Sequence, residues 1–222
     1  MRFKDPLISV IINCHDGEKY LHKSVGSILS QSYKNFEIIF WDNNSTDRSK
    51  KIIKGFGDKR IKYFENKKFR KLYESRNLAI KKAKGKYISF LDVDDWWTKD
   101  KLKKQVSLIK KNKNIKILYS NFFIFNQEKK KKYLKTKQNL LSGMITKDII
   151  ANYTIGILTI MIKKDIFKKF KFNPKYEIIS DFDFFSKLSL NYPFYAIQKP
   201  LAYYRVHDKN FSKKKSSLYI EE

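Results

Sequence analysis

The chain has 222 residues, of which 42% are hydrophobic, 16% aromatic and 32% charged; this suits one α/β domain with a sizeable core and excludes a disordered polymer. The formal net charge is +27, but only Arg2, Arg48, Arg60, Arg70, Arg76 and Arg205 among the 49 basic residues are Arg, the residue best shaped for bidentate phosphate and base contacts. A nucleic-acid partner is therefore not expected. The Lys excess reflects either the coding bias of an AT-rich genome or attraction to an anionic membrane or a phosphate-bearing acceptor.

The one cysteine, Cys14, excludes an intramolecular disulfide and a Cys-rich metal site, which favours a reducing compartment. The expected location is cytoplasmic, with room for peripheral contact at the inner face of a membrane. Apolar runs fall short of the roughly 20 residues that span a bilayer, so no transmembrane segment is expected. Residues 7–12 read as a strand, because the run is too short for a signal sequence and lacks a cleavage pattern.

Strand-like and helix-like stretches alternate from the start: strand 7–13, helix 17–31, strand 36–42, helix 46–55 and strand 61–66. This alternation predicts a mostly parallel sheet with helices on its faces. In 17–31, Tyr20, Leu21, Val25, Ile28 and Leu29 recur at helical spacing, and Asp16 offers an N-cap. Helix 72–84, closed by Gly85, and helix 98–112, opened by Thr98, bracket strand 86–92. Beyond Ile115 the pattern becomes mixed: strand 116–125, a charged hairpin tip or loop at 128–132, short helices, strand 156–162, helix 181–191 and a strand near 194–205. No repeat or Pro/Gly/Ser-rich linker interrupts this order, and one domain is expected over 1–222.

Open α/β sheets bind ligands at the carboxyl ends of their strands. Three polar clusters fall there: residues 13–18 (Asn-Cys-His-Asp-Gly-Glu), 42–47 (Asp-Asn-Asn-Ser-Thr-Asp) and 92–95 (Asp-Val-Asp-Asp). The first two also suit ordinary turns and caps. In the third, three carboxylates crowd one strand end, and a hard divalent cation would relieve their repulsion and bridge to a diphosphate. The competing reading makes Asp95 a helix cap and leaves the others to solvent.

Taken together, Ser-Val-Ile-Ile, Asp-Gly-Glu-Lys-Tyr-Leu, Trp-Asp-Asn-Asn-Ser-Thr-Asp, Arg76-Asn77, Phe-Leu-Asp-Val-Asp-Asp, Ser-Asp-Phe-Asp-Phe-Phe and Tyr-Arg-Val-His occur in an order that resembles the family 2 glycosyltransferases. The resemblance implies a GT-A-type domain, with a nucleotide-sugar half at about 1–115, an acceptor half at about 116–210 and a tail at 211–222. It places Cys14, His15, Asp16, Glu18, Asp42, Arg76 and Asp92 around a nucleotide-sugar. His15 stands where the family has a Tyr beside the base, and Asp42 where a carboxylate accepts a base N–H from uracil, thymine or guanine. Cys14 also reads as a small packed residue, since nothing in the sequence would activate its thiol. Asp94 and His207 become ligands of Mn²⁺ or Mg²⁺, and Asp181 becomes the general base, with Asp183 as fallback.

The expected activity is metal-dependent, inverting transfer of one sugar from a nucleoside-diphosphate sugar, with UDP the favoured carrier. The acceptor would be a saccharide or lipid-linked, in bacterial surface polysaccharide or lipopolysaccharide assembly. Three departures stand out: Asn13 replaces a Pro, Asn43 a second Asp, and Ser180 a Glu. A sugar-1-phosphate nucleotidyltransferase would instead open with a Gly-rich phosphate loop, and a basic polyanion-binding protein would lack carboxylates at strand ends.

Overall fold

The computed structural model describes residues 5–208 and 210. Its elements are β1 (Ile8–Cys14), α1 (Leu21–Leu29), β2 (Phe36–Asp42), α2 (Ser49–Gly55), β3 (Ile61–Glu65), α3 (Leu72–Lys82), β4 (Tyr87–Phe90), β5 (Trp96–Trp97), α4 (Lys101–Lys111), β6 (Ile117–Ser120), β7 (Phe123–Asn126), β8 (Lys131–Leu134), α5 (Thr146–Ala151), β9 (Met161–Lys163), α6 (Ser180–Ser189), β10 (Phe194–Ile197) and β11 (Ala202–Val206). Seven strands form one sheet in the order β10-β6-β9-β4-β1-β2-β3, and four form a second in the order β5-β11-β7-β8. In the large sheet β9 runs antiparallel to β4 and β6, while the other pairs are parallel.

Strands β1 and β2 are buried along their whole length, because helices cover both faces of a parallel sheet. Ile11, Ile39 and Phe90 point to the side covered by α3 and α6, where Tyr73, Ala79, Ile80, Phe184 and Phe185 complete one core. Val10, Ile12, Ile38 and Phe40 point to the side covered by α1 and α4 and meet Leu21, Val25, Leu102 and Val106. Strand order reverses at β1 and β4, since β2 and β3 extend the sheet one way and β4 the other. The crevice at that reversal is where polar residues at strand ends converge.

Several elements differ from the sequence expectation, each for a physical reason. The 116–125 run is two strands, β6 and β7, and the 194–205 run is β10 and β11; the chain crosses from the large sheet to the small one both times. At the crossings Asn121 and Leu201 exchange backbone hydrogen bonds with neighbouring strand ends, Asn121 N to Ile197 O and Leu201 N to Asn121 O. In 156–162 a 3-10 turn at Ile157–Thr159 precedes the short β9. Helix α1 begins at Leu21 without a side-chain cap, and Asp16, at φ 50°, turns its carboxylate to the neighbouring loop. Helix α4 begins after Asp100; Thr98 donates to the Asp100 carboxylate and the Leu201 carbonyl.

Gly85 follows α3 as expected, but close approach rather than a left-handed cap requires it. A Cβ there would lie 2.5 Å from Ser9 N and 2.8 Å from Leu7 O. The same corner holds a buried polar knot: Ser9 Oγ donates to Glu37 Oε1 at 2.6 Å, Lys84 N donates to the same oxygen at 2.6 Å, and Gly85 N donates to Ser9 Oγ at 2.8 Å. Because the obstacle is backbone, it cannot swing aside. Gly85→Ala is expected to cost about 2 kcal/mol or more, in the range of core overpacking, as measured by denaturant unfolding. A change below about 0.5 kcal/mol would show that the corner relaxes freely.

Candidate functional site

The loops after β1 and β2 are built against each other. Asp16 Oδ1 accepts from Thr46 N at 2.8 Å and Asp47 N at 3.3 Å, while Asp16 N donates to Ser45 Oγ at 3.1 Å. Glu18 N donates to Asp47 Oδ2 at 2.9 Å, and Glu18 Oε2 accepts from both Arg48 N and Arg48 Nε at 3.0 Å. Asp16 and Glu18 thus hold the two loops in one arrangement. The Cys14 side chain is packed in the core on the α1 side, and burial pushes the thiol up to about 11.

Asp42 ends β2 and is 3% exposed. Its Oδ1 accepts from Ser45 N and its Oδ2 from the Tyr63 hydroxyl, each at 2.8 Å. Burial, then the neighbouring Asp42 and Glu65 carboxylates, hold the Tyr63 phenol far above its ordinary range, so it remains a donor. Asn43 binds the next layer: its Oδ1 accepts from Asn66 Nδ2 at 2.7 Å, Ser75 Oγ at 3.0 Å and Arg70 N at 3.1 Å, and its Nδ2 donates to Arg70 O at 2.7 Å. An Asp could not make that last bond, which accounts for the amide at this position. His15 is exposed, with Nδ1 3.1 Å from the Asn43 carbonyl and its ring 4.7 Å from that of Phe69.

The acidic cluster is reached from both sheets. Arg76, 2% exposed on α3, donates from Nη2 to Asp92 Oδ1 at 2.8 Å. Its guanidinium lies over the rings of Tyr73, Phe90 and Phe172. Antiparallel pairing sets Tyr203 opposite Trp96, so the residues before β5 face those at the end of β11, 110 positions away. Arg205 N donates to Asp95 Oδ1 at 2.8 Å and Arg205 Nε to the Asp94 carbonyl at 2.7 Å, with the guanidinium over Tyr20 and Trp96. His207 Nε2 lies 3.0 Å from Asp94 Oδ2. Asp95 is therefore a buried carboxylate bound to a strand's backbone, not a helix cap.

Helix α6 carries Asp181 to the same region. Tyr73 Oη donates to Ile178 O at 3.1 Å, and Asn77 exchanges hydrogen bonds with the Phe172 backbone, fastening α3 to the chain that leads into α6. Burial raises the Asp181 carboxyl above its usual range, opposed by the nearby Arg76 cation and the Phe182 amide, which donates to Oδ1 at 2.9 Å. The Tyr153 hydroxyl is buried beside the Asp181 carboxyl and interacts with it, and its ring meets Phe182 edge-on. Asp183 instead forms an i,i+4 ion pair with Lys187 on the same helix. Sequence reasoning took Tyr20 only as a helix-spaced residue and passed over Tyr63, Phe69 and Tyr153; their signal, aromatic residues beside polar strand ends, is indistinguishable from core aromatics until the fold is known.

Desolvation is the first cause of the raised carboxyl at Asp95, followed by repulsion from Asp94 and Asp92. A carboxyl raised on folding opposes folding above its folded value, and that opposition fades as pH falls, vanishing below the unfolded carboxylate range near about 4. Asp95→Asn keeps an acceptor for Arg205 N. Its stability relative to the parent, from unfolding curves, should be most favourable at neutral pH and decline toward pH 4; a pH-independent difference would contradict this assignment.

The model of the family described as glycosyl transferase family 2 matches residues 9–172. An Escherichia coli UDP-Glc:alpha-D-GlcNAc-diphosphoundecaprenol beta-1,3-glucosyltransferase, WfgD, is 33% identical over 76% of this chain and 64% of its own length. An uncharacterized glycosyltransferase of Methanocaldococcus jannaschii, MJ1057, is 34% identical over 96% of this chain and 77% of its own. Solved S. aureus TarS, residues 1-349 in complex with UDP-GlcNAc, shares the fold with a TM-score of 0.76 at 20% identity, over 91% of this chain and 59% of that one. The chain thus spans less than two thirds of WfgD and of that TarS structure. Its match to the family model and to MJ1057 makes this chain a member of the family 2 glycosyltransferases, and its sheet order and likeness to TarS give it the GT-A fold.

Proposed function

We propose that this glycosyltransferase moves one sugar, with inversion, from a UDP-sugar to a saccharide or lipid-linked acceptor, using Mn²⁺ or Mg²⁺. The observation that carries this reading is the meeting of Arg76, Asp92 and Asp181 beside the Asp94–His207 pair. WfgD's name specifies UDP-Glc and a diphosphoundecaprenol acceptor, and TarS was solved with UDP-GlcNAc; both support the choice of donor, and WfgD supports a lipid-linked acceptor. Residues 1–115 would serve the donor and 116–210 the acceptor. A Lys-rich surface would suit work at the inner face of a membrane, and no helix among the described residues is long and apolar enough to cross one.

The residues fit a divalent ion. Asp94 Oδ2 and His207 Nε2 lie 3.0 Å apart and form an oxygen–nitrogen donor pair, which suits Mn²⁺ better than Mg²⁺. Asp94 and His207 would hold the ion, and among the described residues no group of three His, Cys, Asp or Glu side chains could hold one alone. When bound, the ion would neutralise the charge gathering on the departing diphosphate. Arg76 holds Asp92 at the same edge, and Asp42 and His15 would take the base side.

Asp181 takes the acceptor's proton. The acceptor oxygen attacks the anomeric carbon on the face opposite the diphosphate, the new C–O bond forms as the C–O bond to diphosphate breaks, and the proton passes to the Asp181 carboxylate. Burial makes this carboxyl a stronger base than a solvated Asp. Asp183, paired with Lys187, is less available.

Calorimetry with UDP, GDP, dTDP and CDP, each with Mn²⁺ or EDTA, should give binding for UDP with Mn²⁺, loss in EDTA, and the same loss for Asp94→Asn. Equal affinity with and without metal would remove the ion from the account. Asp181→Asn should bind UDP as the parent does while transfer falls about 10²–10⁴-fold. Near-normal transfer by this variant to a verified acceptor would contradict its role as base.

A further inference from the structure

Phe69 lies in the loop between β3 and α3 and is 58% exposed, among four basic neighbours, Lys67, Lys68, Arg70 and Lys71. Of the large hydrophobic side chains exposed among the described residues, it is the one packed on a site residue: its ring centroid is 4.7 Å from that of His15, tilted by 59°. With more than half of its surface in water, Phe69 forgoes roughly half of the about 1.5–3 kcal/mol that full burial of a Phe supplies.

The backbone beside this side chain is nonetheless held firmly. Asn43 grips Arg70 at both its N–H and its carbonyl, while Asn66 and Ser75 also donate to the Asn43 amide oxygen. The Asn43 backbone carbonyl lies 3.1 Å from His15 Nδ1, so one residue anchors both rings. Behind Asn43 stands the buried Asp42 carboxylate. A fixed loop carrying a largely exposed aromatic ring, against a second aromatic ring at a carboxylate-backed strand end, suits a flat heteroaromatic ligand.

We propose that Phe69 and His15 are the two jaws of a clamp on the donor's nucleobase. Without ligand the rings shield each other; on binding, the base takes Phe69's place against His15 and Phe69 folds over the outer face. This rests on the nucleotide-sugar reading, and adds to it a residue that controls affinity for the base but not for the diphosphate.

Calorimetric titration of the full chain with UDP·Mn²⁺ and with pyrophosphate·Mn²⁺ separates these contributions. Phe69→Ala should weaken UDP about tenfold, within the range of one lost aromatic stack, and leave pyrophosphate unchanged; Phe69→Trp should restore UDP affinity. The exposed position predicts an unchanged melting temperature, which checks that each variant folds. UDP affinity that is unchanged or raised in Phe69→Ala would overturn the clamp, as would an equal loss for pyrophosphate. A parent chain that binds pyrophosphate but not UDP would overturn both the clamp and the nucleotide reading, whereas UDP binding insensitive to Phe69 would overturn the clamp alone.

Discussion

Three carboxylates within four residues at the end of a buried strand are the constraint around which the rest is arranged. Desolvation, and after it repulsion from the neighbouring carboxylates, makes Asp92 and Asp95 costly to keep charged. The fold answers with two cations from distant parts of the chain. Arg76 reaches Asp92 from α3, stacked on three aromatic rings that fix its direction, and from β11 the backbone N–H of Arg205 binds the Asp95 carboxylate while its guanidinium binds the Asp94 backbone carbonyl.

The need to bring Arg205 and His207 to this cluster explains the small sheet. Two residues of β5 are enough, because antiparallel pairing with β11 aligns the start of one strand with the end of the other. The large sheet meanwhile brings β1, β2 and β4 into parallel register, so their loops share one edge. Along that edge α3 ties two of the loops in place, Arg76 binding Asp92 and Ser75 binding Asn43.

Much of this was legible in the sequence because burial on a parallel sheet leaves a strong pattern. Strand β2 and the first residue of α3 fall where periodicity places them, and the three polar clusters do share an edge. The failures share a cause. Periodicity reports which face a residue occupies but not which sheet it joins, so 116–125 and 194–205 each read as one strand. Likewise Asp16, Thr98 and Asp95 are residue types that cap helices, and local spacing could not show that each bonds a segment distant in sequence instead. Asn43 stood out only as a departure from a family pattern; its four hydrogen bonds need the tertiary fold to be seen.

The central claim is that one divalent ion joins Asp94 and His207 to the donor diphosphate. Pulsed electron paramagnetic resonance on the Mn²⁺ complex with UDP tests it directly, since nuclei coordinated to or bridged through the ion impose distinct couplings. The account predicts both a ³¹P coupling from the diphosphate and a ¹⁴N coupling that disappears in His207→Gln. Phosphorus coupling without any nitrogen coupling would remove His207 from the metal, and the absence of both would contradict the account.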